Sequence, residues 1–449
     1  MKRQSDIFFR KPSTNPYRLF ILLILIMGGV WLIRQIEQGN ITRPFTPTPT
    51  PTRVAQSYAL EGDAQFEAGK LDAAITAYQE ATRVDPTDAE VWAKLARIQN
   101  YSSSLLTTDD QQRDRRQEAL ASINKAVDLA PDDSTVHAIR AFVLNWNANA
   151  TLFGEDQAAD YLLEAEQEAV RALQLDNQNA LALAFYAEIL VDEQKWSQAE
   201  QYILQAIEKD DSLMDVHRVY AYVLESLGQY NQAIQEYDKA LAISPNLTFL
   251  HLRAGANYRR LAFGSNNDAT RTQLYESSLE YFAKAARLNE QLGIEDPIPY
   301  LSIAKTYSQE GEYFVAARNV QKALEIDPAN PDIYGQLGIV YFKSRNYEGS
   351  IPAFKCAIRG CTEEESCDGR GGCGPNDEPS EVIGLDLSGN TVVYYYTYGS
   401  VLAALSRPQE NYCEEAMTVM GEVRAIYSND RDIMGIVQAG EAICQSLGE

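Results

Sequence analysis

The chain has 449 residues, an ordinary apolar content of 45 %, a charged content of 23 % and a formal net charge of −24. Residues 1–53 carry eight basic side chains against Asp6 and Glu37, a balance of +6, so the remaining residues sit at −30. A body of that sign repels phosphate backbones and excludes nucleic acid as an expected partner.

The first expected element is an anchor. Lys2, Arg3, Arg10, Lys11 and Arg18 lead into an uncharged stretch, 19–33, that ends at Arg34. At 1.5 Å per residue this stretch spans roughly 22 Å, against a hydrocarbon core of ~30 Å. Tyr17 and Trp31 stand near its ends, where amphipathic rings favour the interface, and both arginines can snorkel outward. No small-x-small cleavage site follows it, and no Cys is placed to receive lipid. The segment 17–36 is therefore read as a transmembrane signal anchor, with a cleaved signal peptide as the alternative. The positive-inside bias puts the basic tail 1–16 in the cytoplasm and the body outside it. Residues 37–54 form a linker whose PFTPTPTPT run, 44–52, predicts an extended, semi-rigid spacer.

From residue 55 the chain repeats with a period of 34, and 180–213 and 214–247 are two uninterrupted copies. Each has His or Leu at its fourth place, where other copies carry Tyr58, Trp92 or Tyr334. Small residues recur at the eighth, twentieth and twenty-seventh places. Such a period predicts helix pairs. Gly62, Ala96, Ala221 and Gly338 in first helices, with Ala74, Ala119, Ala233 and Ser350 in second helices, let the two approach closely. Tyr78, Tyr237, Phe282 and Phe354 fill the spaces between units. Pro86, Pro131, Pro245 and Pro328 end second helices, whereas Asn177, Asp211 and Glu290 stand at that place elsewhere. Units two, three and six carry about a dozen extra residues each, within 100–116, 146–160 and 262–275. These insertions fall at one point of the unit, which predicts longer helices or loops sharing one edge of the stack.

The copies YALEGDAQFEAGKLDAAITAYQEATRVDP (58–86) and YGQLGIVYFKSRNYEGSIPAFKCAI (334–358) resemble the tetratricopeptide repeat, in the manner of a membrane-anchored member of that family. The resemblance implies an all-α fold, a right-handed α-solenoid of about nine helix-turn-helix units. Eight units occupy 55–359, and the ninth unit and a closing helix occupy 390–449, with one transmembrane helix and a Pro/Thr stalk ahead of them. It also implies that first helices line a concave face on which peptides bind. Here that face would present Phe142, Phe185, Arg218, Tyr222, Leu252, Arg259, Leu301, Lys305, Ile339, Phe342 and Lys343. The family's clamp of repeated Lys and Asn for a C-terminal carboxylate is missing from these places. An extended segment or helix with apolar anchors is the better match.

Sharper chemistry finds little support. His137, His217 and His251 all fall at the fourth place and read as packing residues rather than metal ligands. Neither common Gly-rich phosphate loop occurs. Acidic pairs on repeating helices read as solvated faces. No catalytic residue, cofactor or metal is expected, and the chain is not read as an enzyme. Six cysteines, Cys356, Cys361, Cys367, Cys373, Cys413 and Cys444, crowd the C-terminal part, and an even count in an exported region predicts disulfides. Cys413 and Cys444 would meet across a hairpin turning near 428–431. The other four lie in or beside 360–389, a Cys-rich segment expected to be irregular, and their pairing stays open.

The expected function is an exported, membrane-anchored scaffold that engages protein or peptide partners through its groove. A self-associating structural surface protein is the first alternative. A metal- or redox-dependent sensor centred on the Cys-rich segment is the second.

Overall fold

A computed structural model of the chain describes residues 15–38, 53–374 and 379–447. The basic tail up to residue 14 and the PFTPTPTPT spacer lie outside the described residues. Two compact units result, Met1–Arg53 and Val54–Glu449.

The described part of the first unit is one helix, α1 (Pro16–Glu37), started by the Asn15 side chain, which accepts a hydrogen bond from the Tyr17 amide. It absorbs both flanking arginines and so outruns the uncharged stretch. Its 22 residues span about 33 Å. The stretch Pro16–Ile36, with a mean hydropathy of 2.3, is long and apolar enough to cross a membrane.

The second unit is a stack of helix pairs. The first pairs are α2 (Ala55–Glu67) with α3 (Leu71–Val84) and α4 (Ala89–Ser103) with α5 (Asp109–Leu129). In the third, α6 (Ser134–Asn147) and α8 (Glu155–Leu175) are bridged by one turn, α7 (Ala150–Phe153). Then follow α9 (Ala180–Asp192) with α10 (Trp196–Lys209), α11 (Met214–Ser226) with α12 (Tyr230–Ile243), and α13 (Thr248–Gly264) with α14 (Asp268–Leu292). The seventh and eighth are α15 (Ile298–Glu310) with α16 (Tyr313–Ile326) and α17 (Pro331–Lys343) with α18 (Tyr347–Arg359). After α19 (Glu363–Arg370) the ninth pair is α20 (Val392–Leu405) with α21 (Cys413–Tyr427), and α22 (Arg431–Ser446) closes the described chain.

The repeat's small places hold because a large ring presses on them. A Cβ on Gly62, Gly255 or Gly338 would lie 2.6–2.7 Å from the ring of Tyr78, Phe282 or Phe354. These rings therefore fill space inside their own unit as well as between units. Extra residues in units two, three and six lengthen the second helices: α5 and α8 have 21 residues and α14 has 25, where α3, α10 and α12 have 14.

The fourth place has a role that bulk alone does not explain. Trp92, His137, His217, His251 and Tyr334 each donate a hydrogen bond to the carbonyl six residues earlier, on Pro86, Pro131, Asp211, Pro245 and Pro328, at 2.8–3.3 Å. The ring thereby ties each of these five first helices to the turn that precedes it.

The Cys-rich segment differs from the irregular stretch expected of it. Thr362 and Glu365 form a reciprocal capping box that starts α19. Cys361 and Val382 then exchange backbone hydrogen bonds at 3.0 and 2.9 Å, folding the segment back onto α18.

Candidate functional site: the inner face of the solenoid

Residues nine and thirteen of each first helix lie one turn apart on the face turned towards the solenoid axis. They are Arg97 and Tyr101 on α4, Phe142 and Trp146 on α6, Glu188 and Asp192 on α9, Tyr222 on α11, and Ile339 and Lys343 on α17, with Lys305, the eighth residue of α15, at the corresponding place of its unit. The face divides into a closed stretch and an open one.

In the closed stretch the inner sides of units two to six touch one another. Arg218 on α11 donates to both oxygens of Glu188, at 3.0 and 2.6 Å, and its Nε donates to the Tyr101 hydroxyl at 3.1 Å. Rings of Tyr101, Phe142 and Trp146 surround that guanidinium, with centroids 5.4, 5.3 and 5.9 Å from its carbon. The Tyr101 hydroxyl in turn donates to Asp215 of unit five, which Arg97 of unit two also holds. Tyr101 stacks on Phe249 of unit six at 5.0 Å. Asn246, between units five and six, donates to the Glu67 carbonyl at 3.0 Å, closing the first unit as well.

This closure corrects part of the sequence-based groove. Phe142 and Phe185 stack on each other at 4.6 Å, and neither is more than 1 % exposed. Arg218, Leu252 and Leu301 are buried too. The coil is tight enough that side chains aimed at the axis find other repeats before they find a ligand. Arg97, Tyr101, Glu188 and Asp215, which carry the closure, were missed. Their legible trace was charge at inward places, which burial requires to be paired.

Beside the closed core lies a half-open cavity of about 570 Å3, lined by Arg116, Trp146, Asp192, Tyr222, Phe249 and Arg253 among others. Asp192, one of the lining residues, accepts from Tyr222 at 2.5 Å and Asn145 at 2.7 Å. Surrounding protein pushes its carboxyl up to about 6 against those two bonds. Arg253 and Arg260 share the Glu225 carboxylate.

The open stretch runs across α13, α15 and α17. Lys305, Phe342 and Lys343 are exposed, and Arg259 and Ile339 are half-buried. Arg259 donates to the Ser302 carbonyl at 3.2 Å and packs over the Phe282 ring at 5.3 Å. Thus Arg259, Lys305, Ile339, Phe342 and Lys343 share one accessible surface, while Tyr222 lies apart at the cavity.

All six cysteines are bonded. Cys356 pairs with Cys361, Cys367 with Cys373, and Cys413 with Cys444, with Cα–Cα distances of 4.8, 4.9 and 5.4 Å. The last pair is the one the closing hairpin implied. No free thiol remains among the described residues, so the metal-dependent sensor alternative has no thiolate ligand to draw on at this segment. His137 and His217 meet Glu168 and Glu236 through Nδ1 besides their carbonyl bonds.

Models of the TPR repeat match residues 62–99 and 296–344, and a tetratricopeptide repeat model matches 187–247. Protein FlbA of Caulobacter vibrioides is 25 % identical over 210 residues, covering 47 % of this chain and 32 % of FlbA. The chain thus matches about a third of the length of that relative. Among solved structures, the human IFIT1 dimer with PPP-AAAA aligns at a TM-score of 0.52 and 15 % identity, covering 89 % of this chain and 92 % of the other. The human IFIT1 dimer with m7Gppp-AAAA aligns at 0.51 and 16 %, covering 92 % and 93 %. Likeness at this identity concerns the fold.

Proposed function

Because the chain is a tetratricopeptide-repeat protein, built on an interaction scaffold, we propose that it is anchored in a membrane, exported, and holds a partner protein on the open stretch of its inner face. In this reading 1–16 is a cytoplasmic tail, 17–36 the anchor, 37–54 a spacer, and 55–359 with 390–449 the extracytoplasmic repeat body, interrupted by 360–389. The length and apolarity of α1 support the anchor, and three disulfides suit an oxidising compartment. The observation that carries the binding reading is the contrast within the inner face. Units two to six fill it with their own side chains, whereas Ile339, Phe342 and Lys343 leave an accessible mixed apolar and basic strip.

A photo-crosslinker at Phe342 in intact membranes tests this, with Leu204, an exposed second-helix residue, as control. One recurrent foreign protein captured at Phe342 and not at Leu204 is expected. Capture no greater than at the control position overturns the reading. Phe263 and Phe314, 76 % and 87 % exposed, favour a second one, a structural protein that associates with copies of itself. Self-crosslinks alone at Phe342 would select it. The bound PPP-AAAA of the IFIT1 neighbour is not carried over, because a body at −30 opposes phosphate.

A further inference from the structure

The inner face carries cations of two kinds. Arg97, Arg218, Arg253 and Arg260 each meet a carboxylate: Asp215, Glu188 and, for the last two, Glu225. Arg259, Lys305 and Lys343 have no carboxylate within ion-pair distance among the described residues. They nevertheless stand together on three consecutive first helices. Arg259 reaches α15 at Ser302, one turn from Lys305. The Lys305 ammonium is pushed below the usual lysine range by its surroundings and by the charges of Arg259, Lys343 and Arg260. A chain with 63 acidic residues against 39 basic ones has no shortage of carboxylates with which to neutralise such a cluster. Leaving it open in a body of opposite sign costs self-repulsion, which an incoming anion relieves.

We propose that this strip recognises an acidic, extended segment of a partner protein. Its carboxylates meet Arg259, Lys305 and Lys343, and an apolar side chain sits on Ile339 and Phe342. The inference rests on the proposed use of this face for protein binding and adds the chemical class of the partner. Apolar surface beside the cations is what separates a peptide from a bare phosphate. Phe342 is 37 % exposed, and its ring rests against Tyr347 at 5.7 Å. A polyproline-like strand turns once every three residues and advances ~9 Å in doing so. Acidic side chains at every third position therefore line one side of such a strand and can all face the cationic strip.

The test measures fluorescence anisotropy of a labelled peptide with Glu at every third position and Leu and Pro between, added to the full chain in lipid nanodiscs. Two further probes are its Gln counterpart and an oligoadenylate of similar length. Binding that falls at least about tenfold in Lys305→Gln/Lys343→Gln, with helicity unchanged, and is absent for the Gln peptide, is expected. Equal binding to native and variant protein overturns the inference, as does a tighter complex with oligoadenylate. Crosslinking from Phe342 separates the two levels. Capture that persists undiminished in the lysine variant removes the acidic specificity while leaving the scaffold reading in place. Absence of capture in the native protein removes the scaffold reading itself.

Discussion

Units one to six and units seven to nine both face the weakness of a linear stack, an end that lacks a neighbour, and they meet it with different chemistry. The first half coils until its own surfaces touch. One buried cluster runs from Leu71 to Ala254, and polar contacts cross it between residues more than a hundred positions apart. A separate cluster runs from Leu301 to Cys444, secured by three disulfides between residues 5, 6 and 31 positions apart. Distant, charge-matched contacts demand that every partner be present; local covalent ones do not. The comparison teaches that closure through side chains aimed at the axis consumes the face it uses, whereas Asn330, Ser388 and Asn390 reach back to Thr107 and Asp109 of unit two and leave the inner face of units seven and eight open.

The largest effect expected is on the closed half. Glu188→Ala leaves Arg218 buried without its carboxylate and should lower stability by about 3–5 kcal/mol in chemical unfolding. Replacing Glu188 and Arg218 together by Leu and Met should recover most of that loss. A single-variant loss below ~1 kcal/mol would mean that the cross-coil pair holds nothing together. In the other half, Cys413→Ser with Cys444→Ser should cost about 3–4 kcal/mol, and Cys367→Ser with Cys373→Ser only about 2, because the loop it closes is shorter. Equal losses would undo the distinction drawn between stapling the end and pinning a surface segment.

A pH measurement sharpens the boundary between the halves. Asp296, 8 % exposed just before α15, has its carboxyl pushed up to about 6 by burial, against bonds from the Ile298 amide and Asn289. Folding therefore favours its protonated form. That contribution is complete below the ordinary carboxylate value of 3.8 and is lost as pH rises through about 6. Asp296→Asn should remove up to ~3 kcal/mol of this decline between pH 4 and 7, an order-of-magnitude figure. The buried Asn289 Oδ1 lacks a hydrogen-bond partner and can receive the new amide. A variant whose stability follows the native pH profile would refute the assignment. The smallest effects concern fit. Gly338→Ala drives a Cβ to 2.7 Å from the Phe354 ring and should cost about 1–3 kcal/mol. Gly435→Ala on α22 meets nothing within 4 Å and should stabilise by about 0.5–1 kcal/mol.

How much was legible follows from which forces act within one period. The helix pairs, the small places of close approach and the Cys413–Cys444 hairpin all depend on residues a few turns apart, so spacing exposes them. Closure of the coil depends on residues such as Tyr101 and Asp215, which share no period, and the groove drawn from the repeat alone therefore counted Phe142 and Phe185 as surface. The fourth place was read as bulk because Tyr, Trp, His and Leu share size. Three of those four residue types, Tyr, Trp and His, carry a ring donor that can reach the carbonyl six residues back, and Leu183 does not. The α19 helix was hidden because its Gly- and Cys-rich composition suggests a loop, although Thr362 and Glu365 carried the capping signature.

The distance in sequence between Tyr101 and Asp215 has a consequence in time. A ribosome adds ~5–20 residues per second, so the 114 residues between them take on the order of 6–23 s to appear. Throughout that interval the Tyr101 hydroxyl is solvated rather than bonded to Asp215, and the nascent stack cannot close. The aromatic surface of unit two stays open until unit five arrives, whereas the last three units need only residues already made.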